Sequence, residues 1–225
     1  MKEFTWNGGC KIVNGYTVFD EATRNSLTSL SISFEVAPYT MTGAIISASS
    51  SLKTVNLNNV KILTVQAFKN NTELTSVVFD GVCSPIPSKA FSACPKLKDV
   101  VFKENTAQYI TKTLFGTKCF QISPTTDINM YFPDSISTDT IKDIMKYNTG
   151  ANSILYVDVN KNDTITRSIR VYRLKARGYT GDSTKEPKLR IGTFTFTHEK
   201  NKSGTSTYDL NWNPNESYDE EYDPS

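Results

Sequence analysis

A single histidine, His198, stands beside Glu199 in the run TFTFTHEK, and an imidazole next to a carboxylate is raw material for general acid–base chemistry. A hydrolytic triad would need that ring oriented by an acid and facing a serine or cysteine. No element of the chain positions such a group, so His198 reads as a solvent-facing residue at the end of a strand. The four cysteines, Cys10, Cys83, Cys94 and Cys119, contain no Cys-x-x-Cys pair and have no histidine nearby, which argues against zinc. They read as free thiols, with a Cys83–Cys119 disulfide as the alternative. The stretch Asp158 to Asp163, DVNKND, opens like a calcium loop. It then places Asp163 where glycine is needed and Ile169 where the twelfth-position glutamate belongs. An Asn/Asp-rich turn is the better reading. With no glycine-rich phosphate loop either, the expectation is a protein without catalytic, cofactor or metal residues.

Charge supplies the next candidate. Arg167, Arg170, Arg173, Lys175 and Arg177 form a basic run interleaved with Tyr172 and Tyr179, a pattern that also occurs in nucleic-acid binders. Residues 160–202 carry eleven Lys/Arg against four Asp/Glu, whereas 203–225 carry six Asp/Glu and no base. The two segments complement each other. Pairing within the chain or with a neighbour is favoured over a solvated face, and nucleic acid is the least favoured partner. The acidic end, Asp219, Glu220, Glu221 and Asp223, is expected to dock on the Arg167–Arg177 strand. A net charge of +2 gives no global argument for an acidic partner.

Behind these residues lies a repeat. Ile46, Leu52, Val55 and Leu57 recur as Phe68, Leu74, Val77 and Phe79, and again as Phe91, Leu97, Val100 and Phe102. The copies are offset by 22 and then 23 residues, a period that signals stacked supersecondary units. Val77 and Phe79 alternate with Ser76 and Val78, so each copy holds a short strand with one apolar face. Such a strand cannot bury that face alone; stacked copies make one core from Val55/Val77/Val100 and Leu57/Phe79/Phe102, with Phe68 and Phe91 behind. On the opposite face stand Asn56, Val78, Val101 and Tyr131. Because exposed apolar stripes are unfavourable, Val78, Val101 and Tyr131 are expected to be covered by the carboxy-terminal strands or by another chain.

The segment IPSKAFSACPKLKDVVF resembles the BspA-like (Treponema pallidum-type) class of leucine-rich repeat. Ile86, Ala90, Phe91, Cys94, Leu97, Val100 and Phe102 fill its pattern in order, and the preceding copy departs only in having Asn71 for the cysteine. The resemblance implies a binding scaffold without catalytic machinery, in a family with many bacterial surface proteins.

The flanks complete the reading. LTSLSISFEV alternates Leu30, Ile32, Phe34 and Val36 as an atypical first repeat, and KIVNGYTVF carries an Asn-Gly turn. After Phe102 the register loosens: Leu114-Phe115 is taken as the fourth Ala-Phe equivalent and residues 129–132 as the fourth strand. STDTIKDIMKY then gives a helix capped by Ser137 or Thr138, with Ile141, Ile144 and Met145 as its apolar stripe. From Ile154 a β-rich region follows, read as a separate small sheet in preference to an extension of the repeat edge. YDLNWNPNESYDEEYDPS reads as a polar tail. The expected fold is therefore mostly β: a short leucine-rich-repeat solenoid with a capping helix over 1–153, followed by a smaller carboxy-terminal β region over 154–225.

The expected function is non-catalytic protein–protein recognition or assembly, with no cofactor and no membrane span. The setting is either a structural component of a bacteriophage virion or a bacterial surface adhesin. Partners are proteins, including further copies of this chain. The first residues lack the apolar segment of a secretory signal, which suits a virion or intracellular protein, or a mature fragment of a surface protein. Candidate contact residues are Val78, Val101, Tyr131, Arg167, Arg170, Arg173 and Arg177.

Overall fold

The computed structural model describes residues 3–7, 19–34, 39–41, 46–62, 65–83, 85–121, 126–148, 155–156, 159–174 and 188–218. The strands are β1 (Glu3–Asn7), β2 (Ser29–Ser33), β3 (Tyr39–Met41), β4 (Thr54–Asn58), β5 (Val60–Ile62), β6 (Ser76–Asp80) and β7 (Asp99–Phe102). They continue as β8 (Phe120–Gln121), β9 (Ile128–Phe132), β10 (Leu155–Tyr156), β11 (Asp163–Leu174), β12 (Lys188–Lys200) and β13 (Ser206–Tyr218). Among the described residues there are also two helices, α1 (Glu21–Ser26) and α2 (Thr138–Tyr147), and a 3-10 turn at Glu104–Tyr109.

One sheet of nine strands, in the order β1-β2-β4-β6-β7-β9-β11-β12-β13, carries the chain. Its strands pair in parallel from β1 to β11, and β11, β12 and β13 pair antiparallel. The repeat dictates this register. Leu30, Val55, Val77, Val100, Met130 and Val171 lie side by side on successive strands, with Phe4 at the amino-terminal end. From Leu30 to Val171 all are fully buried. A second row, Ile32, Leu57, Phe79 and Phe102, runs beside it.

The rings fall into two columns. Phe79, Phe102 and Phe132 stack at 5.2 and 5.5 Å. Phe68, Phe91 and Phe120 stack behind them at 5.1 and 5.6 Å. An edge-on contact of 6.2 Å between Phe79 and Phe91 ties the columns together. The last column corrects the expected fourth repeat. Phe91 bridges to Phe120, whereas Phe115 bridges to Ile86, so Cys119-Phe120 stands where Ala90-Phe91 does and Leu114-Phe115 does not.

Backbone groups at the turns are met by a second column at equivalent repeat positions. Ser49 Oγ donates to the Arg24 carbonyl (2.8 Å), Asn71 Nδ2 to the carbonyls of Ile46 (3.1 Å) and Phe68 (2.8 Å), and Cys94 Sγ to Phe68 (3.3 Å). Asn71 Oδ1 also accepts from Ser49 N–H at 3.0 Å. The apparent departure at Asn71 thus does the same work as the cysteine, satisfying a buried carbonyl. Just before each of these residues the chain turns through the left-handed region, at Ala48, Asn70 and Ala93.

α2 starts where Ser137 Oγ accepts from Thr140 N–H (3.1 Å), and it ends at Asn148, whose side chain donates to the carbonyls of Ile144 and Lys112. Ile141, Ile144 and Met145 are buried in the main core, on the face the sequence pattern assigns them.

The carboxy-terminal strands do not form a sheet of their own. β11 joins β9 in parallel, and Ile169, Val171, Ile191, Phe194 and Phe196 belong to the same core as the repeats. Nor are residues 206–218 a tail: they form the edge strand β13. Phe91 sits fully buried between Phe68 and Phe120, so Phe91→Ala should cost about 3–5 kcal/mol of unfolding free energy in a denaturant titration.

Candidate interaction surface

The face of the sheet turned away from the core is built by the same alternation that buries the rings. One row across it reads Ser31, Asn56, Val78, Val101, Tyr131 and Tyr172 on successive strands. The neighbouring row reads Ser29, Thr54, Ser76, Asp99, Asn129 and Arg170. Amino-terminal strands therefore present small hydroxyl and amide groups, with Asn56 exposed, and the Ser29 and Thr54 hydroxyls bonded at 2.9 Å.

Toward the carboxy-terminal strands the same face is closed. Val101, Tyr131, Tyr172 and Leu174 form a second apolar cluster, and Val78 packs at its rim. Val101 is fully buried and Tyr131 is 3% exposed. The chain's own β11 thus contributes the cover that the valine stripe requires. The Tyr131 and Tyr172 rings stack at 4.9 Å, and Lys188 Nζ lies 5.7 and 5.2 Å from their centroids, within cation–π range. A register shift between Val171 and Tyr172 in the β11–β12 pairing accompanies this arrangement, placing Leu174 opposite Lys188. Tyr172 was visible in the sequence as an aromatic within the basic run; the register shift has no such signal.

The arginines separate onto two faces. On the outer face Arg170 reaches Asp127 at 2.9 Å and Asn129 at 3.4 Å. Asn129 in turn donates to Asp99 (2.8 Å), which also accepts from the Tyr131 hydroxyl (3.1 Å). Arg173 follows the core-facing alternation and donates to Thr138 Oγ1 at 2.7 Å, at the start of α2. Arg167 donates to the carbonyl of Thr166. Arg177, Lys175 and the acidic end at 219–225 lie outside the described residues. The acid that pairs with Arg170 is thus Asp127, from the loop before β9.

His198 is not solvent-facing. It continues the buried alternation of Phe194 and Phe196, is 2% exposed, stacks on Tyr208 at 4.4 Å and lies 3.0 Å from Ser206 Oγ. Of DVNKND, Val159 is buried and Asn162 turns through the left-handed region into β11. Among the described residues no group of three metal-ligating side chains gathers. Cys83, Cys94 and Cys119 are buried thiols outside any disulfide, and Cys10 lies outside the described residues. Burial pushes the thiols of Cys83 and Cys94 up to about 12, and that of Cys119 up as well, so none is a nucleophile at neutral pH.

A family model for the BspA-type leucine-rich repeat region matches residues 20–156 with six copies. The chain belongs to this family of leucine-rich-repeat proteins. No curated protein and no solved structure matches it. Such repeat regions typically mediate protein interactions. Among the described residues no helix is long and apolar enough to cross a membrane.

Two outcomes follow from this geometry. Val101→Asp would place a carboxylate in a sealed apolar cluster and should destabilise the fold by about 3–5 kcal/mol, measured by chemical unfolding. The thiols titrate near 9.0 when unfolded and near 12 when buried, so their contribution to stability is complete below pH 9. It should be lost as pH rises from 9 to 12, and Cys83→Ala should flatten that part of the stability–pH curve.

Proposed function

We propose that this protein is a non-catalytic recognition or assembly module. In this reading the repeats wind into a short solenoid, α2 caps its carboxy-terminal end, and β11–β13 extend its edge so that the regions 1–153 and 154–225 act as one body. The observation that carries the reading is the in-register outer face, where Ser29, Ser31, Thr54, Asn56 and Ser76 stand in rows on a rigid core. A flat array of small polar groups with little conformational freedom loses little entropy when a protein surface settles on it. Val78 and Arg170 stand beside this polar area and complete the candidate contact set; Arg167 and Arg173 follow the opposite alternation and lie off this face, and Arg177 lies outside the described residues. Val101 and Tyr131 support it from beneath and do not touch a partner.

Two settings suit such a module. A bacteriophage virion component would meet other proteins of its own particle, or further copies of itself. A bacterial surface adhesin would meet a foreign ligand. The family resemblance supports the second setting, and the continuous sheet with its long free edge supports the first.

A photo-crosslinking side chain placed at exposed Asn56, and separately at exposed Tyr147 on α2, tests the reading in intact particles or cells. The expected result is one discrete crosslinked protein from Asn56 and none from Tyr147. Equal labelling from both positions would discard the outer face as the contact surface. The identity of the crosslinked protein separates particle component from surface ligand.

A further inference from the structure

Among the described residues the sheet ends on β13, a strand of thirteen residues bonded to β12 on one side only. Three observations fix what its other side offers. First, Leu210 N–H is held by its neighbour's carboxylate, Asp209 Oδ1, at 2.9 Å. The Asn201 N–H bond to the Thr205 carbonyl continues the β12–β13 register and turns the odd-numbered residues of β13 toward β12, so the Leu210 N–H and carbonyl belong to the free edge. Alternation along the unbroken register gives Tyr208 and Trp212 the same outward direction. Second, Pro214 falls on that outward row, so the free edge loses its donor there. Third, the side chains along the strand, Tyr208-Asp209-Leu210-Asn211-Trp212, read nearly the same in both directions. Tyr208, Leu210 and Trp212 lie only partly buried against the core, Trp212 leaning over Gly192, where a Cβ would come within 2.3 Å of its ring.

We propose that β13 pairs antiparallel with β13 of a second copy of this chain, across a two-fold axis at Leu210. In this register Leu210 faces Leu210 of the second copy, Tyr208 faces Trp212, and Asp209 faces Asn211. The three outward pairs supply about six main-chain hydrogen bonds. The half-exposed aromatic row becomes continuous across the axis, and no two charges are directly opposed. Other registers fare worse. Centring the axis on Trp212 sets Leu210 against Pro214 and loses a donor at each end. Centring it on Asp209 opposes the two carboxylates and requires the inward row to face out. In the free chain Asp209 covers the Leu210 N–H, so pairing exchanges that contact for a main-chain bond. This surface is distinct from the outer face, and the inference does not rest on the reading given above.

Sedimentation velocity of the full chain over a concentration series tests it. The expected behaviour is a reversible monomer–dimer equilibrium. Asn211→Asp places like charges opposite each other twice per dimer and should raise the dissociation constant roughly tenfold. Adding Asp209→Asn to that variant restores an Asn–Asp pair in the mirrored arrangement and should recover the dimer. Leu210→Pro removes an outward donor that β12 does not use, and should leave a monomer that keeps its β-sheet circular dichroism, with thermal unfolding lowered only by the lost leucine packing. A chain that stays monomeric throughout overturns the proposal. So does a dimer indifferent to Asn211→Asp, or one that the double substitution fails to restore. Open-ended polymers would instead indicate pairing of β13 with β1 of the next copy, and would equally overturn it.

Discussion

Everything in this protein depends on the interval between neighbouring strands. Paired strands lie about 4.8 Å apart, and each repeat must therefore place the same kind of group at the same height as its neighbour. The phenylalanine columns meet that condition with ring separations of 5.1 to 5.6 Å. Ring stacking and strand pairing thus fix the same spacing, and a residue of different size at one level would disturb the levels on both sides. Turns obey the same rule. A carbonyl freed wherever the chain bends left-handed recurs in each repeat, and a hydroxyl, an amide and a thiol answer it in turn at Ser49, Asn71 and Cys94. Polar identity is loose there because any short donor suffices. Aromatic identity is tight because shape decides the stack.

That difference explains what could be read from the sequence. The inner rows, the buried rings and the apolar face of α2 were legible because a 22–23 residue period and a 3.6-residue period repeat the same constraint several times. The fourth repeat was not legible. The 3-10 turn at Glu104–Tyr109 stretches the spacing from Phe91 to Phe120, and two phenylalanines, Phe115 and Phe120, compete for one assignment. Only the bridges to Ile86 and Phe91 decide between them. Of the candidate contact residues, the outward placement of Val78, Val101 and Tyr131 followed from alternation. The need for a cover over them followed from their apolarity. Which of the two covers supplies it could not be read, because Lys188 reaches that face only past a register shift in β12 that leaves no compositional trace.

His198 and β13 depart from what their sequences suggest for a shared reason. Both sit in sequences whose average composition is polar, and average composition hides a two-residue alternation. In TFTFTHEK every second residue from Phe194 is buried, and His198 continues that series despite its ionisable ring. Its stacking on Tyr208 lets the imidazole serve as an aromatic surface. In β13 the alternating Tyr208, Leu210 and Trp212 lie among aspartate and asparagine, which outnumber them and suggest a tail.

The change from parallel to antiparallel pairing at β11 has a mechanical consequence for the whole surface. A parallel repeat ends with a face that only another repeat can cover, which is why terminal units of such arrays depart from the pattern. Here β11 joins the last parallel strand with its residues 169–173, while its amino-terminal part continues into an antiparallel ribbon with β12 and β13. The ribbon adds Ile169, Val171, Phe194 and Phe196 to the core, and on the opposite face it seals the valine–tyrosine stripe. One element therefore performs both closures, and it divides the outer face into a sealed carboxy-terminal half and an open hydroxyl- and amide-bearing half. The open half holds side chains with few rotamers at strand spacing, so in the recognition proposed above shape and hydrogen-bond geometry would govern specificity far more than apolar area.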